Sequence, residues 1–513
     1  MRCNLRRTFT FVFFVFATTL VILSLPKGNF EYDQAQAPLS KEVRFNKDIE
    51  DRPSFEIGEG VGAQNPLPNQ PLPPSLDKTN FENPFEFLSA PDRSTLRQLN
   101  EFTRNIDLEY LTKSECKTNT TLAKYWGERE GKYTPQDDAW ERFYAGIGSC
   151  GVYDDDVMID TLLKNLNNQP IKSVHIMDGG TQVKFVFTFE NDKQAVFKPM
   201  RFGRDYESDP NHFYFSDFER HHAEIATFHL DRILGFRRAV PTVGRIMNIT
   251  SELFDKAEKK LKKTFFYSPA NNFCFVSRCD YYCDTTHAIC GKPDLKEGSV
   301  QVFLPDENAV PRKHNRSPYR RTYSKKNQLA EWQTDMNYCT DKVKTKNPYA
   351  HGRRLLDLVD LHILDYLIGN QDRHHFESFS VFSDIQAYAI HLDHGRAFGR
   401  TDFDDDDILM PLRQCCVIRP STLKTLMAFY SKPKSLSKEL YRSMSKDPVH
   451  PILSNKHYPA IERRLRKIIK YIIECLEKNP VDSVVMAEYH NADVPRSAND
   501  EKSQEPEEGQ KKT

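Results

Sequence analysis

Ten cysteines stand downstream of a hydrophobic N-terminal run, and together they set the chemistry in which this chain must fold. They are Cys116, Cys150, Cys274, Cys279, Cys283, Cys290, Cys339, Cys415, Cys416 and Cys475; Cys3 precedes the run. The run extends from Phe9 to Leu25, after Arg2, Arg6 and Arg7 and before Pro26-Lys27-Gly28. A positive n-region followed by an apolar h-region is a secretory signal. It is short for a plasma-membrane span but fits a thinner secretory membrane, and no small-x-small cleavage site follows. Residues 1–25 therefore read as a signal peptide or a type II signal anchor. The rest is expected in the lumen, touching membrane only through that segment. An even number of lumenal cysteines points to disulfides. The cluster Cys274, Cys279, Cys283 and Cys290 leaves zinc open as an alternative, although it lacks a CxxC knuckle. Asn119-Thr-Thr, Asn248-Ile-Thr and Asn315-Arg-Ser are glycosylation acceptors in such a compartment.

The chain has 513 residues, enough for two or three ordinary domains or one large two-lobed one. Lys plus Arg and Asp plus Glu both number 72, which argues against a nucleic-acid partner. Residues 26–100 are rich in Pro, Asn and Gln ("NPLPNQPLPPS") and read as a disordered stem. Residues 486–513 read as a disordered tail. In "TQVKFVFTFE", Val183, Phe185, Phe187 and Phe189 alternate at period two. With the turn Asn191-Asp192-Lys193 and "QAVFK" this predicts a β-hairpin. "SDFERHHAEIATFHLDRILG" predicts a helix ended by Gly235. Further helices are expected over 354–368 and 459–478, with a short strand over 388–392. Strands with one helix, then mostly helices, make an α+β fold in two lobes. The expected lobes are 101–300 and 301–485.

Two acidic motifs could carry chemistry, "NQDRHHFE" and "HLDHG". Asp372 follows a helix, and Asp393 ends a strand before Gly395. This layout resembles the second half of a protein-kinase active site, in which one Asp orients the attacking hydroxyl and a second holds the metal on the nucleotide. Glu377 stands five residues after Asp372, where a kinase loop carries Asn. Upstream, Lys198 ends a strand, with Glu219 and Glu224 placed on the next helix. Ser216-x-x-Glu219 is also a capping box. Asp178-Gly179-Gly180-Thr181, just before the first strand of the hairpin, is a weak phosphate loop. A rival reading gathers Asp372, His374, His375, His391, Asp393 and His394 into a metallophosphohydrolase site. The run Asp404–Asp407 reads as a solvated acidic loop.

The motifs "FKPMR" (197–201), "NHFYFSDFERHHAEIATFHLDRILGFRR" (211–238), "CGKPD" (290–294), "GNQDRHHFE" (369–377), "HLDHGRAFG" (391–399) and "QCCVIR" (414–419) resemble the secretory-pathway kinases typified by the Golgi casein kinase. Overall similarity lies nearer the casein-kinase branch than the xylose-kinase branch. The resemblance implies an atypical two-lobed, disulfide-stabilised kinase fold, β-rich in the N-lobe and helical in the C-lobe. It implies Mn²⁺ (or Mg²⁺) with ATP, and transfer to Ser-x-Glu motifs of secreted proteins in the Golgi lumen or after secretion. It assigns Asp372 as catalytic acid/base, and Glu219 and Asp393 as metal ligands. Lys198 would contact phosphates. Gln182, Lys184 and Glu377 would line the nucleotide site, Gln301, Val302, Phe303 and Leu304 would form the hinge, and Glu224 would be a helix partner. A pseudokinase branch lacks the metal glutamate; this chain keeps Glu219, so activity is expected. A pseudokinase partner or a homodimer is left open. The resemblance also implies the pairs Cys274–Cys290, Cys279–Cys283, Cys339–Cys415 and Cys416–Cys475, with Cys116–Cys150 remaining. A xylose kinase of proteoglycan linkers, a non-catalytic scaffold and the phosphohydrolase stay as alternatives.

Overall fold

The computed structural model describes residues 85, 92–116, 119–130, 138–177, 179, 181–324, 326, 328–382, 387–431 and 435–495. The apolar run, most of the stem and the tail beyond 495 lie outside these. Within the expected stem lies a helix at Arg93–Thr103, capped by the Asp92 carboxylate. Four more helices precede the sheet: Leu108–Ser114, Leu122–Glu130, Ala139–Gly146 and Asp156–Asn168. Three of them start at Asp residues whose side chains accept from first-turn backbone N–H groups.

The main sheet contains β1 (Ile171–Ile176), β2 (Phe185–Phe189), β3 (Gln194–Pro199), β4 (Thr242–Asn248) and β5 (Leu295–Val302), in the order β1-β2-β3-β5-β4. All neighbours are antiparallel. The expected hairpin is β2–β3, with Phe185 opposite Phe197 and Phe187 opposite Ala195. Alternation buries Phe185, Phe187, Phe189 and Phe197 on one face, and the Phe187 and Phe197 rings stack at 4.8 Å. Asp192 takes the turn's positive φ, which a short polar side chain tolerates. The Gly179 loop joins β1 to β2, since β1 precedes the expected first strand.

Helix α1 (His221–Leu234) crosses behind the sheet and ends at Gly235. It begins two residues after Glu219. Ser216 instead lies in a 3-10 turn, and Arg220 occupies the N-cap without a side-chain bond, so the capping box does not form. Farther on come β6 (Arg312–Arg316), α2 (Arg354–Ile368), β7 (His375–Phe379) and α3 (His457–Lys478). The expected strand over 388–392 is reduced to two single bridges, Ile390 to Glu377 and His391 to Ala239.

Two apolar clusters form the interior. One packs the Phe-rich sheet face against Trp140, Phe143 and Leu162 from the early helices. The other surrounds α2 and α3. Helix α2 is buried along its whole length, including Asp357, Asp360 and Asp365. Each acid is paired, as buried charge requires. Arg419 of "QCCVIR" reaches Asp357 (2.5 Å) and Asp360 (2.9 Å), Arg238 lies 3.1 Å from each, and Arg373 clasps Asp365.

Five disulfides join Cys274–Cys290, Cys279–Cys283, Cys339–Cys415 and Cys416–Cys475, the pairs implied by the family resemblance, and Cys116–Cys150, the pair that remained. They leave no cluster for zinc at residues 274–290. The acidic run Asp404–Asp407 is a set of rivets rather than a solvated loop. Asp404 accepts from Arg463 and Arg464, Asp405 from Arg321, and Asp406 from Tyr366, Lys467 and Tyr471. Among the described residues, no helix is long and apolar enough to cross a membrane.

Candidate active site

Strand β3 is antiparallel to β5 and sets Lys198 opposite Ser299, at the end of the strand and facing α1. From there the Lys198 ammonium reaches three carboxylates: Glu224 on α1 at 2.5 Å, Glu219 at 3.0 Å and Asp393 at 3.3 Å. Burial opposes the charge on Lys198. Glu219, Glu224 and Asp393 outweigh it, and the ammonium stays protonated well above the usual range. Glu224 is buried too, which alone would raise its pKa. Lys198 and His394 pull it down to about 2. The His394 backbone N–H donates to Glu224 Oε1 at 3.1 Å. Lys198 and Glu224 thus form the strand–helix ion pair of a kinase N-lobe.

Asp393 adopts a left-handed φ of 61°, which turns the chain sharply before Gly395. Its carboxylate is 49% exposed. Lys184 first, then Lys198, Arg396 and Arg373, hold its pKa well below the carboxylate range despite burial of its surroundings. Gly395 lets Glu219 approach: a Cβ there would lie 2.9 Å from Glu219 Cγ and 3.0 Å from Oε2. Glu219 is placed from the other side by Gln182. The Gln182 amide accepts from Glu219 N and donates to Asp217 O, each at 2.8 Å. Gln182 therefore acts on the site by fixing the backbone that carries Glu219.

Asp372 sits one turn beyond Gly369, the left-handed residue that ends α2 (φ 69°). Arg373 ties this loop to the Asp393 segment. It bonds Asp365 at 2.8 and 2.9 Å and the Leu392 carbonyl at 2.7 Å. Asp372 itself accepts from Tyr323 Oη at 2.6 Å and pairs with Arg396. Burial lifts its pKa above the ordinary value, while Arg396 and the Tyr323 bond restrain the rise. Arg396 also donates to Thr181 in the β1–β2 loop at 2.8 Å, linking that loop to Asp372. Tyr323 and Arg396 had no role in the sequence reading. Arg396 was legible as the third residue after Asp393, whereas Tyr323 arrives from a loop 49 positions away.

The histidines do not converge. His391 bonds Asp231 at 2.6 Å in the interior, His394 faces Glu224, and His374 bonds His375. Burial lowers His374 to about 4 and lowers His375 as well. Among the described residues, the group with cation-binding spacing is Glu307, His314 and Glu377. Arg312 already lies within it, 2.9 Å from Glu307 and 2.8 Å from Glu377. Glu377 is thus on β7 opposite His314, neutralised by an arginine. Gln301 and Val302 end β5. The Phe303 backbone is committed on both sides, its N–H to Gln194 and its carbonyl to Tyr144 Oη, and Leu304 follows, buried.

The donors Glu219 and Asp393 suit a divalent cation. Both offer hard oxygen ligands. The buried Glu219 Oε2 lacks a well-formed hydrogen bond even though Lys198 lies 3.0 Å away.

The family model for Golgi casein kinase, C-terminal, Fam20, matches residues 138–484. The chain belongs to the Fam20 family. The Caenorhabditis elegans extracellular serine/threonine protein kinase CeFam20 is 70% identical over 96% of this chain and 95% of its own. A human glycosaminoglycan xylosylkinase is 41% identical over 60% of this Fam20 chain and 72% of its own. The crystal structure of the Golgi casein kinase with Mn/ADP bound superposes with TM-score 0.79 at 74% identity. It covers 83% of this chain and all of the solved one.

Proposed function

We propose that this Fam20 chain is a lumenal serine protein kinase. It transfers the ATP γ-phosphoryl group to Ser-x-Glu motifs of secreted proteins, with Mn²⁺, in the Golgi lumen or after secretion. The observation that carries the reading is the pairing of buried Lys198 with Glu219, Glu224 and Asp393, while Asp372 stands apart under Tyr323 and Arg396. Phosphoryl transfer needs this division between a phosphate clamp and an acceptor-facing base.

Lys198 and Lys184 bind the phosphates, with Lys198 kept charged by its carboxylates. Glu219 and Asp393 would hold the divalent cation, which neutralises phosphate charge when bound. Residues Gln301–Leu304 face the adenine, and Glu377 with Arg312 closes the nucleotide end. Asp372 orients the serine hydroxyl and accepts its proton. Its raised pKa makes it a better base than a solvent-exposed aspartate. Tyr323 and Arg396 bond different oxygens of this carboxylate and so fix its orientation.

The test is Mn²⁺-dependent transfer of ³²P from ATP to casein by the full-length protein, beside a xylose-containing linker glycan. Wild type should label casein, and Asp393→Ala should abolish labelling. Intact ATP binding without transfer to casein would refute the reading, and preference for the glycan would replace it with a sugar kinase.

A further inference from the structure

The segment 308–330 contains no Asp or Glu but seven Lys and Arg, in a chain whose acids and bases balance at 72 each. The fold threads this strap past the catalytic loop. Strand β6 pairs with β7, Ser317 N donates to the His374 carbonyl at 3.1 Å, and Tyr323 bonds Asp372. Two of its arginines are neutralised inside the fold, Arg312 by Glu307 and Glu377 and Arg321 by Asp405. Lys313, Arg316, Arg320 and Lys326 make no ion pair among the described residues. Arg320 is the innermost. Its guanidinium lies 4.8 Å from the Tyr323 ring centroid, and its Nε is buried without a hydrogen bond. The Asp372 carboxylate is already paired with Arg396, and among the described residues no carboxylate forms an ion pair with Arg320.

The strap also walls a cavity of about 430 Å³ beside the catalytic loop. Thr322, Ser324, Gln328 and Leu329 line one side, and Gln371 and Arg396 line the other. Of its lining residues, Gln371 precedes Asp372 in the chain and Arg396 pairs with the Asp372 carboxylate.

We propose that this strap docks the acidic flank of the acceptor polypeptide, and that Arg320 binds a carboxylate beside the hydroxyl held at Asp372. The inference rests on the protein-kinase reading above. In an extended peptide, side chains two residues apart point the same way and lie about 7 Å apart. An acceptor serine at Asp372 then lies by the Tyr323 hydroxyl, and a glutamate two positions on comes within reach of the guanidinium over the Tyr323 ring face. Stacking on that ring orders the guanidinium before substrate arrives and leaves its edge for a bidentate carboxylate. The outer cations Lys313, Arg316 and Lys326 act at longer range, steering acidic chains toward the site.

The experiment compares full-length wild type, R320Q, R320K and a K313A/R316A/K326A variant on matched Ser-Gly-Glu and Ser-Gly-Gln peptides. R320Q should raise KM for the Glu peptide about two- to fivefold, the worth of one favourable ion pair, and abolish the Glu-over-Gln preference. KM for ATP should stay at the wild-type value, and R320K should recover part of the preference. The triple variant should flatten the salt dependence of kcat/KM for a peptide with a longer acidic flank. An unchanged Glu-over-Gln ratio in R320Q overturns the assignment. So does a parallel rise in KM for ATP, which marks a structural role for the strap. Wild type that labels neither peptide, yet phosphorylates a xyloside, overturns the protein-kinase reading itself.

Discussion

Replacing Gly395 with alanine pushes directly on the carboxylate proposed to hold the cation. The added methyl would lie 2.9 Å from Glu219 Cγ and 3.0 Å from Cβ and Oε2. Carbon atoms rest about 3.5–4.0 Å apart, so Glu219 must retreat by roughly 0.5–1 Å. The Gly395 φ lies outside the left-handed range, so the backbone itself accepts alanine. Glu219 cannot absorb the push freely, because Gln182 fixes its backbone. Metal–oxygen distances tolerate about 0.2 Å, and a 1 Å misplacement of a catalytic group costs up to about 10²-fold. G395A should therefore raise the Mn²⁺ concentration for half-maximal activity ten- to hundredfold, by the same estimate. Overpacking of this kind should lower stability by only about 1–3 kcal/mol. The assay is casein labelling across a Mn²⁺ titration, with circular dichroism to show that the protein is folded. In an E219Q background the alanine should add little further loss, since both changes act on one carboxylate. Wild-type Mn²⁺ dependence in folded G395A would refute the argument that Gly395 exists to admit Glu219.

Three further outcomes are expected. Y323F removes the hydrogen bond that helps hold the Asp372 pKa down against burial, so the acid limb of kcat/KM against pH should move to higher pH; a fixed limb would show that Tyr323 does not touch the working base. D404N leaves Arg464, only 2% exposed, without its carboxylate, and should cost about 3–5 kcal/mol in thermal unfolding; a Tm shift below about 2 °C would contradict the rivet description. Glycan mapping by mass spectrometry should find Asn119 and Asn248 modified and Asn315 bare. The Asn315 amide donates to both Lys313 O and Ser378 Oγ, whereas Asn248 needs one N–H for Asp294 and keeps one after modification.

Much of this site was readable from spacing. Lys198 and Glu224 lie on a strand and a helix whose apolar periodicity is plain, and Asp372 and Asp393 stand in the short motifs that follow α2 and the Ile390–His391 bridges. The hairpin and helices α2 and α3 were equally plain, because their apolar positions recur at period 2 or 3.6. The helices between residues 93 and 168 were not. They are short, begin in polar sequence and are marked mainly by aspartate caps, a weaker signal than a hydrophobic stripe. Glu219 was placed on a helix that starts two residues later, because Arg220-His221-His222 continues the polar-apolar rhythm across the true boundary. The run Asp404–Asp407 misled for another reason. Four acids in a row look solvated until Arg321, Arg463, Arg464 and Lys467 are seen around them, from segments distant in sequence. Tyr323 was likewise invisible, since nothing local distinguishes it from an exposed loop tyrosine.

The aspartate rivets bear on control. In many protein kinases the stretch after the metal-binding aspartate is loose until a phosphate arrives to pair with arginines. Here Asp404, Asp405 and Asp406 already supply that negative charge, and Arg321, Arg463, Arg464 and Lys467 already grip it. The stretch needs no modification to be set in order. Folding alone therefore supplies the charge pairing that a phosphate brings to the corresponding stretch of those kinases.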